Sequence, residues 1–563
     1  MKYNWNIQLK KGDDLIGQLL ANRSIGEHEQ EAFFHPKWDD DIHDPFLFKQ
    51  MQSAVDRTML ALQQSETIVV HGDYDADGIC GSTLIMDVLE YLAKVMSVEL
   101  NASAFLPHRE RDGYGVALHT VDSFIKDNID LLITVDCGIA NSLELDHAHD
   151  FAIDVIICDH HQLAPDLPSH AIIIHPLAPG EIYPNKKLCG TGVAFKFACA
   201  LLINARRLGI EVQDGYEKWL LDLVAIATVT DVVPLLGENR VLETFGLKVL
   251  NRTRRPGLLN IIQNSNVKIG KIGTEDIGFR IGPRLNAAGR LREAQTAFNA
   301  LNAKDLEAAS AYSTELEMLN RERQRLSNTA YEEARLQLVD IPNAFVHVVY
   351  SEAWTPGIVG LVAGKIAYEF NAATFALTKS GDQYLGSGRS ARGLHLVEAM
   401  RSCGDIFIKA GGHPEACGLT LESMEMVNLF REKVNEYAKK LLGATDSAQE
   451  LNIEAELMIE QVNFALYDIV QKFEPFGTGN PTPIFCVKDV VVSSVAALGN
   501  EGKHLKLKLE SRSDDVECIG FGFGKLASQI KIGSKIDLAF KLRINEWQNQ
   551  RRLQAEIVDV VIK

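Results

Sequence analysis

A chain of 563 residues exceeds what one hydrophobic core supports, so three or four domains are expected. Its 46% hydrophobic and 23% charged residues are ordinary for a globular protein in water, and no apolar run approaches the roughly 20 residues that would span a bilayer. The net charge of −18 excludes a protein that coats nucleic acid through overall basicity, but leaves room for one that grips a few nucleotides in a single groove.

The first residues, MKYNWNIQLKKGDD, carry neither the apolar stretch nor the small-residue cleavage site of a signal peptide, and a cytoplasmic location is expected. From about Thr67 to Val233, apolar strand-like runs alternate with helical patterns. Thr67–His71, Leu131–Val135 and Val155–Cys158 are short, β-branched and flanked by Gly, Asp or His, while Gly81–Met96 and Ser142–Asp150 have helical periodicity. Such alternation predicts a parallel sheet with helices on both faces, whose ligand crevice lies beyond the carboxyl ends of the strands. Nine cysteines, an odd number without a CxxC pair, argue against a disulfide framework or a zinc ribbon. Cys80, Cys137 and Cys158 read as small apolar fillers of buried strands.

Residues 305 to about 340 contain neither Pro nor Gly and are rich in Glu, Ala, Leu and Arg, which predicts one helix on the order of 50 Å long. Charges around most of its surface suit a helix that bridges two domains, and Ile341-Pro342 would end it. A second α/β unit with Gly-rich loops is expected from about Ala344 to Ala444, followed by a polar stretch, Gly443–Glu450. Beyond it, Asp489–Val495, Leu505–Leu509, Cys518–Phe521, Lys535–Leu542 and Arg552–Val561 are strand candidates, enough for a small barrel of oligonucleotide-binding type.

The octet His71-Gly72-Asp73-Tyr74-Asp75-Ala76-Asp77-Gly78 sets three carboxylates at alternate positions directly after a strand. Extended or turn geometry would aim their oxygens the same way, a repulsive arrangement that one or two divalent cations would relieve. A solvated acidic turn is the plainer reading of the octet alone; an EF-hand is ruled out because no Glu stands at loop position twelve. Asp136 in VDCG and Asp159-His160-His161 each follow a β-run, and Asp231 follows an apolar helical segment. Mixed carboxylate and imidazole ligands suit Mn²⁺ or Mg²⁺, and two such ions about 3.5–4 Å apart can hydrolyse a phosphodiester.

DYDADG, VDCG, DHH and TDVVP, in this order, resemble the motifs of the DHH phosphoesterase superfamily. DGYG at 112–115, GPRLNAAGRL at 282–291, GSGRS at 386–390, AGGHPEACG at 410–418 and PFGTGNPTPIF at 475–485 extend the likeness to its single-stranded-DNA exonuclease branch, from about residue 45 to the end. The resemblance implies an α/β protein with a parallel-sheet DHH catalytic domain and an N-terminal extension over 1–304. A connecting helix over 305–342, a DHH-associated α/β domain over 343–446 and an OB-type barrel over 447–563 would follow. It implies that Asp75, Asp77, Asp136, His160 and Asp231 hold two divalent cations, with His71 and Asp73 as further ligands or as partners that orient them. Asp159 would fix the neighbouring imidazole and His161 would face the scissile phosphate.

In the second unit, the Gly-rich runs would let backbone amides approach phosphate oxygens, and Arg389 offers a planar bidentate donor. The resemblance groups Ser387, Arg389 and Arg280 around a terminal 5′-phosphate, with His413 near that phosphate or the scissile one. Ala410 and Cys417 stand where the family usually has Gly and Ala; both are small. Arg109 and Tyr114 suggest a basic contact plus a ring for a splayed base, although Tyr114 reads equally well as a turn-packing aromatic. Asn286 and Arg290 are either phosphate contacts or ties between domains.

The implied activity is 5′→3′ digestion of single-stranded DNA to 5′-mononucleotides in DNA repair and recombination. Implied partners are single-strand-binding protein and a RecQ-type helicase, with no membrane and a monomer as the default. The chain ends soon after the expected barrel, so the extra C-terminal domain of some longer relatives is not expected. Relatives that cut short RNA, cyclic dinucleotides or polyphosphate, and non-catalytic replication scaffolds with eroded motifs, are the alternatives. The barrel and the intact acids count against them.

Overall fold

The computed structural model describes residues 3–11, 14–339, 344–443, 449–512, 515–547 and 550–563. The chain forms two compact units: residues 37–445, and a unit that joins residues 1–36, with strand β1 (Tyr3–Ile7), to residues 446–563. Among the described residues, no helix is long and apolar enough to cross a membrane.

The first sheet of residues 37–445 contains β2 (Thr67–Gly72), β3 (Asn101–Phe105), β4 (Leu131–Val135), β5 (Asp154–Cys158) and β6 (Ile172–Ile174) in the order β3-β2-β4-β5-β6, all parallel. Residues of one strand alternate between two apolar layers. Ile68, Val70, Leu131, Ile133 and Ile156 face one layer, while Val69, Leu132, Val155 and Ile157 face the other. Burial on both faces explains why β4 reads as an apolar run interrupted only by the buried Thr134. The expected runs became β2, β4 and β5. Strand β3 (NASAF) is half polar and β6 has three residues; both lie at the sheet edges, where the apolar signal is weakest.

Helix α1 (Ala76–Met96) begins five residues before the expected Gly81, because Asp75 caps its N-terminus. Packed on the same layer are α2 (Gly190–Arg207), α3 (Leu221–Thr230) and α4 (Gly237–Leu250), with α5 (Gly282–Leu291) following. Cys80, Cys137 and Cys158 are fully buried and free. The chain leaves β2 toward β3 on one side and reaches β4 on the other, so the crevice opens where the carboxyl ends of β2 and β4 meet.

The long helix is α6 (Leu306–Leu338), capped by the Asp305 carboxylate, which accepts from Ala308 N at 2.8 Å. Its first half packs on α5 and its second on α7 (Pro356–Phe370). The expected terminator Ile341-Pro342 lies outside the described residues. The second sheet holds β7 (Val346–Tyr350), β8 (Ala373–Ser380), β9 (Gln383–Arg389), β10 (Phe407–Gly412) and β11 (Ala416–Leu421), ordered β10-β11-β9-β8-β7, with only β7 and β8 parallel. GSGRS is therefore not a loop: its first four residues lie in the central strand β9. Its glycines answer to packing, since a Cβ on Gly388 would lie 2.6 Å from Cys417 Sγ. Helix α8 (Met424–Leu442) contributes Phe430 to this core.

In the other unit, β12 (Gln449–Ile453) runs parallel to β1, with Tyr3 opposite Gln449 and Ile7 opposite Ile453. The sequence alone sets residues 1–36 at the head of the catalytic domain; the pairing of β1 ties them to the C-terminal segment. Strand β13 (Ala455–Glu456) adjoins β14 (Phe485–Leu498), which continues through β15 (His504–Leu509), β16 (Val516–Gly520), β18 (Gln550–Ile562) and β17 (Lys535–Trp547). Pairing of β14 with β17 closes these five strands into a barrel. All five expected strands are present, most of them longer than read. Residues 444–448 of the expected polar stretch lie outside the described residues.

Candidate metal centre and phosphate pocket

After β2, Asp73 N donates to Val135 O at 3.2 Å, drawing the acid octet over the end of β4. The Asp75 carboxylate accepts from Asp77 N at 3.0 Å and Gly78 N at 3.3 Å. The three acids do not share one extended or turn segment as their spacing suggests. Capping by Asp75 starts the helix, so Asp77 already lies in its first turn. The Asp77 carboxylate is held by the N-terminus of α2, accepting from Gly190 N and Thr191 N at 2.7 Å each. Gly190 is required there, because a Cβ would sit 2.5 Å from Asp136 Cβ.

Asp136 follows β4 with a φ of 63°, a left-handed conformation that Asp tolerates. After β5, one Asp159 oxygen accepts from His160 N at 2.7 Å, His161 N at 3.1 Å and His161 Nδ1 at 2.8 Å. Its other oxygen accepts from Ile139 N at 3.0 Å. His175, just beyond β6, accepts from Leu177 N through Nδ1 at 3.0 Å, so its Nε2–H donates to His161 O at 2.8 Å. Asp231 ends α3.

These elements bring His160 Nε2 to 3.1 Å from Asp136 Oδ1, 3.6 Å from Asp231 Oδ2 and 3.8 Å from Asp77 Oδ2. Three overlapping groups (Asp136, His160, His161; Asp77, His160, Asp231; Asp73, Asp75, Asp136) each have ligand atoms within 4.8 Å of one another. Asp73 Oδ1, Asp136 Oδ1, Asp231 Oδ2 and His160 Nε2 are buried and make no hydrogen bond. Burial, reinforced by neighbouring carboxylates, pushes Asp73 up to about 8, Asp231 up to about 9, and Asp75 and Asp136 upward. Burial pushes His160 down to about 4, which leaves a neutral imidazole with a free lone pair. Repelling acids, orphaned oxygens and a neutral imidazole fit divalent cations as counter-charges.

His161 differs from its neighbour. Burial opposes its charge, but the hydrogen bond and charge of Asp159 carry it up to about 9. His71 is fully buried against Phe105 and Phe124, with Nδ1 3.6 Å from Cys137 Sγ, and joins none of the three groups.

Beside the acids lies a set of arginines. Arg109 Nε donates to Gly289 O at 3.4 Å, and its guanidinium lies 4.0 Å over the Tyr74 ring. Arg290 Nη1 donates to Gly357 O at 3.2 Å. Arg389 Nη1 donates to Ser387 Oγ at 2.9 Å and Gly388 O at 2.7 Å. Asn286 Oδ1 accepts from Ala76 N at 2.7 Å and so clamps the acid loop to α5. The Tyr114 ring is 49% exposed and 5.4 Å from the His161 ring. Arg280 stands outside this set, exposed and paired with Asp276 at 3.5 Å. His413 is exposed in the turn between β10 and β11, next to Ala416, which pairs with Arg389 of β9. Gly190, Thr191 and His175 escaped the sequence reading; the traces they left are a Gly-Thr-Gly at the start of a helical run and a His closing an isoleucine run.

Family models match in three places: the DHH family N-terminal domain over residues 67–228, the DHHA1 domain over 343–440 and the RecJ OB domain over 453–559. The chain is 36% identical over 552 residues to the single-stranded-DNA-specific exonuclease RecJ of Bacillus subtilis, covering 97% of this chain and 68% of that protein. It is 31% identical to the protein of the same name from Dickeya dadantii, covering 90% of each. The crystal structure of Thermus thermophilus RecJ in complex with Mn²⁺ superposes with a TM-score of 0.81 at 28% identity, covering 99% of this chain and 79% of that one.

Proposed function

The chain belongs to the RecJ family of single-stranded-DNA-specific exonucleases, and from that premise we propose that it digests single-stranded DNA from the 5′ end by two-metal hydrolysis, releasing 5′-mononucleotides. The observation that carries the proposal is the convergence of Asp75, Asp77, Asp136, His160 and Asp231 on one crevice with their ligand atoms unpartnered or repelling. These five would hold two divalent cations, with Asp73 beside them. When bound, the cations would activate a water and stabilise the leaving oxygen of a phosphodiester.

The chain's own groups do the rest. His161, kept protonated by Asp159, donates to a non-bridging oxygen of the scissile phosphate as negative charge develops there. Asp159 fixes the imidazole and the loop that carries it, and His175 holds the same loop from the other side. Tyr114 stacks on the base next to the cut, which tolerates any sequence. Arg109, Arg290, Ser387 and Arg389 seat the terminal 5′-phosphate and so set the direction of digestion. The barrel holds the incoming strand, and a monomer works with single-strand-binding protein and a RecQ-type helicase in repair and recombination.

Digestion of a strand labelled at one end and then at the other tests this reading. The 5′ label is expected to leave first, as a mononucleotide, only with Mn²⁺ or Mg²⁺ present. First release of the 3′ label, or rapid cutting of a dinucleotide with no action on long DNA, would refute it.

A further inference from the structure

The buried stripe of α6 runs through Ala309, Ser313, Leu316, Leu319, Asn320, Ser327, Ala330, Ala334 and Leu338, most of them three or four residues apart. Between Asn320 and Ser327 the same face carries Arg323. An arginine in such a stripe ordinarily finds a carboxylate, as Arg284 on the facing helix α5 finds Glu317 at 2.7 Å. Arg323 has none. Its Nη2 donates to Asn320 Oδ1 at 2.8 Å, and its Nε is buried with no acceptor at all.

The surroundings deepen the conflict. One turn further on, Leu326 of α6 and Leu291 of α5 pack on the same apolar cluster as Ile358, Val359 and Val362 of α7. The end of α5, with Arg290, is therefore pressed against the part of α6 that carries Arg323. A Cβ on Gly357, in the first turn of α7, would lie 1.9 Å from Arg290 O. A Cβ on Gly360, one turn later, would lie 3.0 Å from Arg389 Nη2 and 3.1 Å from Ser387 Oγ. Glycines thus let α5, α7 and β9 close around one spot, and none of the guanidiniums there is in contact with a carboxylate of the described residues. Among the described residues, Arg109, Arg290, Arg323 and Arg389 form no ion pair. Burial, together with Arg109, Arg323 and Arg389, pushes the pKa of the Arg290 guanidinium down to about 10 against the opposing pull of Asp75. Four guanidiniums gathered with none of them in an ion pair call for an anion with several oxygens.

We propose that Arg323 is a binding residue for the 5′-terminal phosphate, a fourth guanidinium that reaches the pocket of Arg109, Arg290 and Arg389 from the connecting helix. The proposal rests on the 5′-end reading given above and adds a consequence to it. The terminal phosphate is gripped at once by α5, the connecting helix and the second sheet, so phosphate binding braces the parts of the catalytic unit against one another.

Discrimination between 5′-phosphorylated and 5′-hydroxyl forms of one oligothymidylate tests it, measured as the ratio of their kcat/KM values. Arg323→Gln removes the charge while keeping a donor toward Asn320, and the ratio is expected to fall on the order of tenfold or more. Arg323→Lys is expected to lose less. In EDTA, thymidine 5′-monophosphate is expected to raise the melting temperature of the native protein more than that of either variant, and thymidine to raise none of them. Arg389→Ala is the reference. If it lowers the ratio while Arg323→Gln and Arg323→Lys leave it unchanged, the assignment of Arg323 is wrong and the 5′-end reading stands. If Arg389→Ala leaves it unchanged as well, the 5′-end reading fails and takes the assignment with it. Should Arg323→Gln not fold, the lysine variant decides alone, and an unchanged ratio overturns the assignment.

Discussion

Asp136 bears much of the electrostatic conflict at the centre: its Oδ1 is buried without a hydrogen bond, and Asp73, Asp75, Asp77 and Asp231 all oppose its charge. Replacement by Asn removes a proposed ligand and relieves the repulsion together. Asp136→Asn is expected to abolish Mn²⁺-dependent cleavage, yet to raise the melting temperature in EDTA by about 1–3 °C. Mn²⁺ should then stabilise the native protein and not the variant, because a ligand stabilises only the fold that binds it. Calorimetry with and without the metal checks both; a variant that melts lower in EDTA would contradict the repulsion. Asp159 is proposed to act at one remove, through the His161 imidazole that it holds. Asp159→Asn is expected to keep the bound metal while slowing turnover about 10–100-fold, read from metal content and kcat on the same preparation. Equal loss of both would make Asp159 a ligand instead. Acids and histidines at strand ends are legible from residue type alone. Gly190 and Thr191 are not, since they act through backbone amides, which every residue has.

Helices α3 and α4 pack against each other, and α3 delivers Asp231 to the site. Inside this pair Glu243 of α4 is fully buried, and neither of its oxygens has a hydrogen bond. Burial alone pushes its carboxyl well above the ordinary range. The folded protein therefore holds a proton there that the unfolded chain releases, so Glu243 makes stability fall as pH rises above the ordinary glutamate value. One such proton is worth about 1.4 kcal/mol per pH unit. Urea unfolding at about pH 6 and about pH 8 is expected to show Glu243→Gln gaining on the native protein between the two values. A constant difference would mean that Glu243 is ionised in the fold.

At this scale the sequence was readable wherever periodicity and burial agreed, as in β2, β4, β5, the long helix and the five barrel strands. It was not readable where a local signal pointed elsewhere. The glycines of GSGRS suggest a loop, but they serve close packing in β9. The spaced acids suggest one extended or turn segment, but Asp75 is a better cap than a strand residue. Strand β1 carries no trace of a partner so far along the chain.

For the molecule as a whole, the −18 charge, which runs against overall affinity for nucleic acid, has a partial explanation in the acids of the candidate metal centre, while arginines line the place assigned to phosphate. Fold class was accessible because the motifs fall at the carboxyl ends of parallel strands, where such sheets bind ligands. Arg280 and Arg290 were harder to separate, since only packing tells an exposed arginine paired with Asp276 from a half-buried one beside Arg109 and Arg389. The central claim is that side chains scattered from Asp75 to Asp231 enclose a pair of divalent cations. An anomalous difference map from a crystal soaked in MnCl₂ measures it most directly. Two peaks about 3.5–4 Å apart among Asp75, Asp77, Asp136, His160 and Asp231 are expected. No peak in that crevice, or manganese only at other carboxylates, would contradict it.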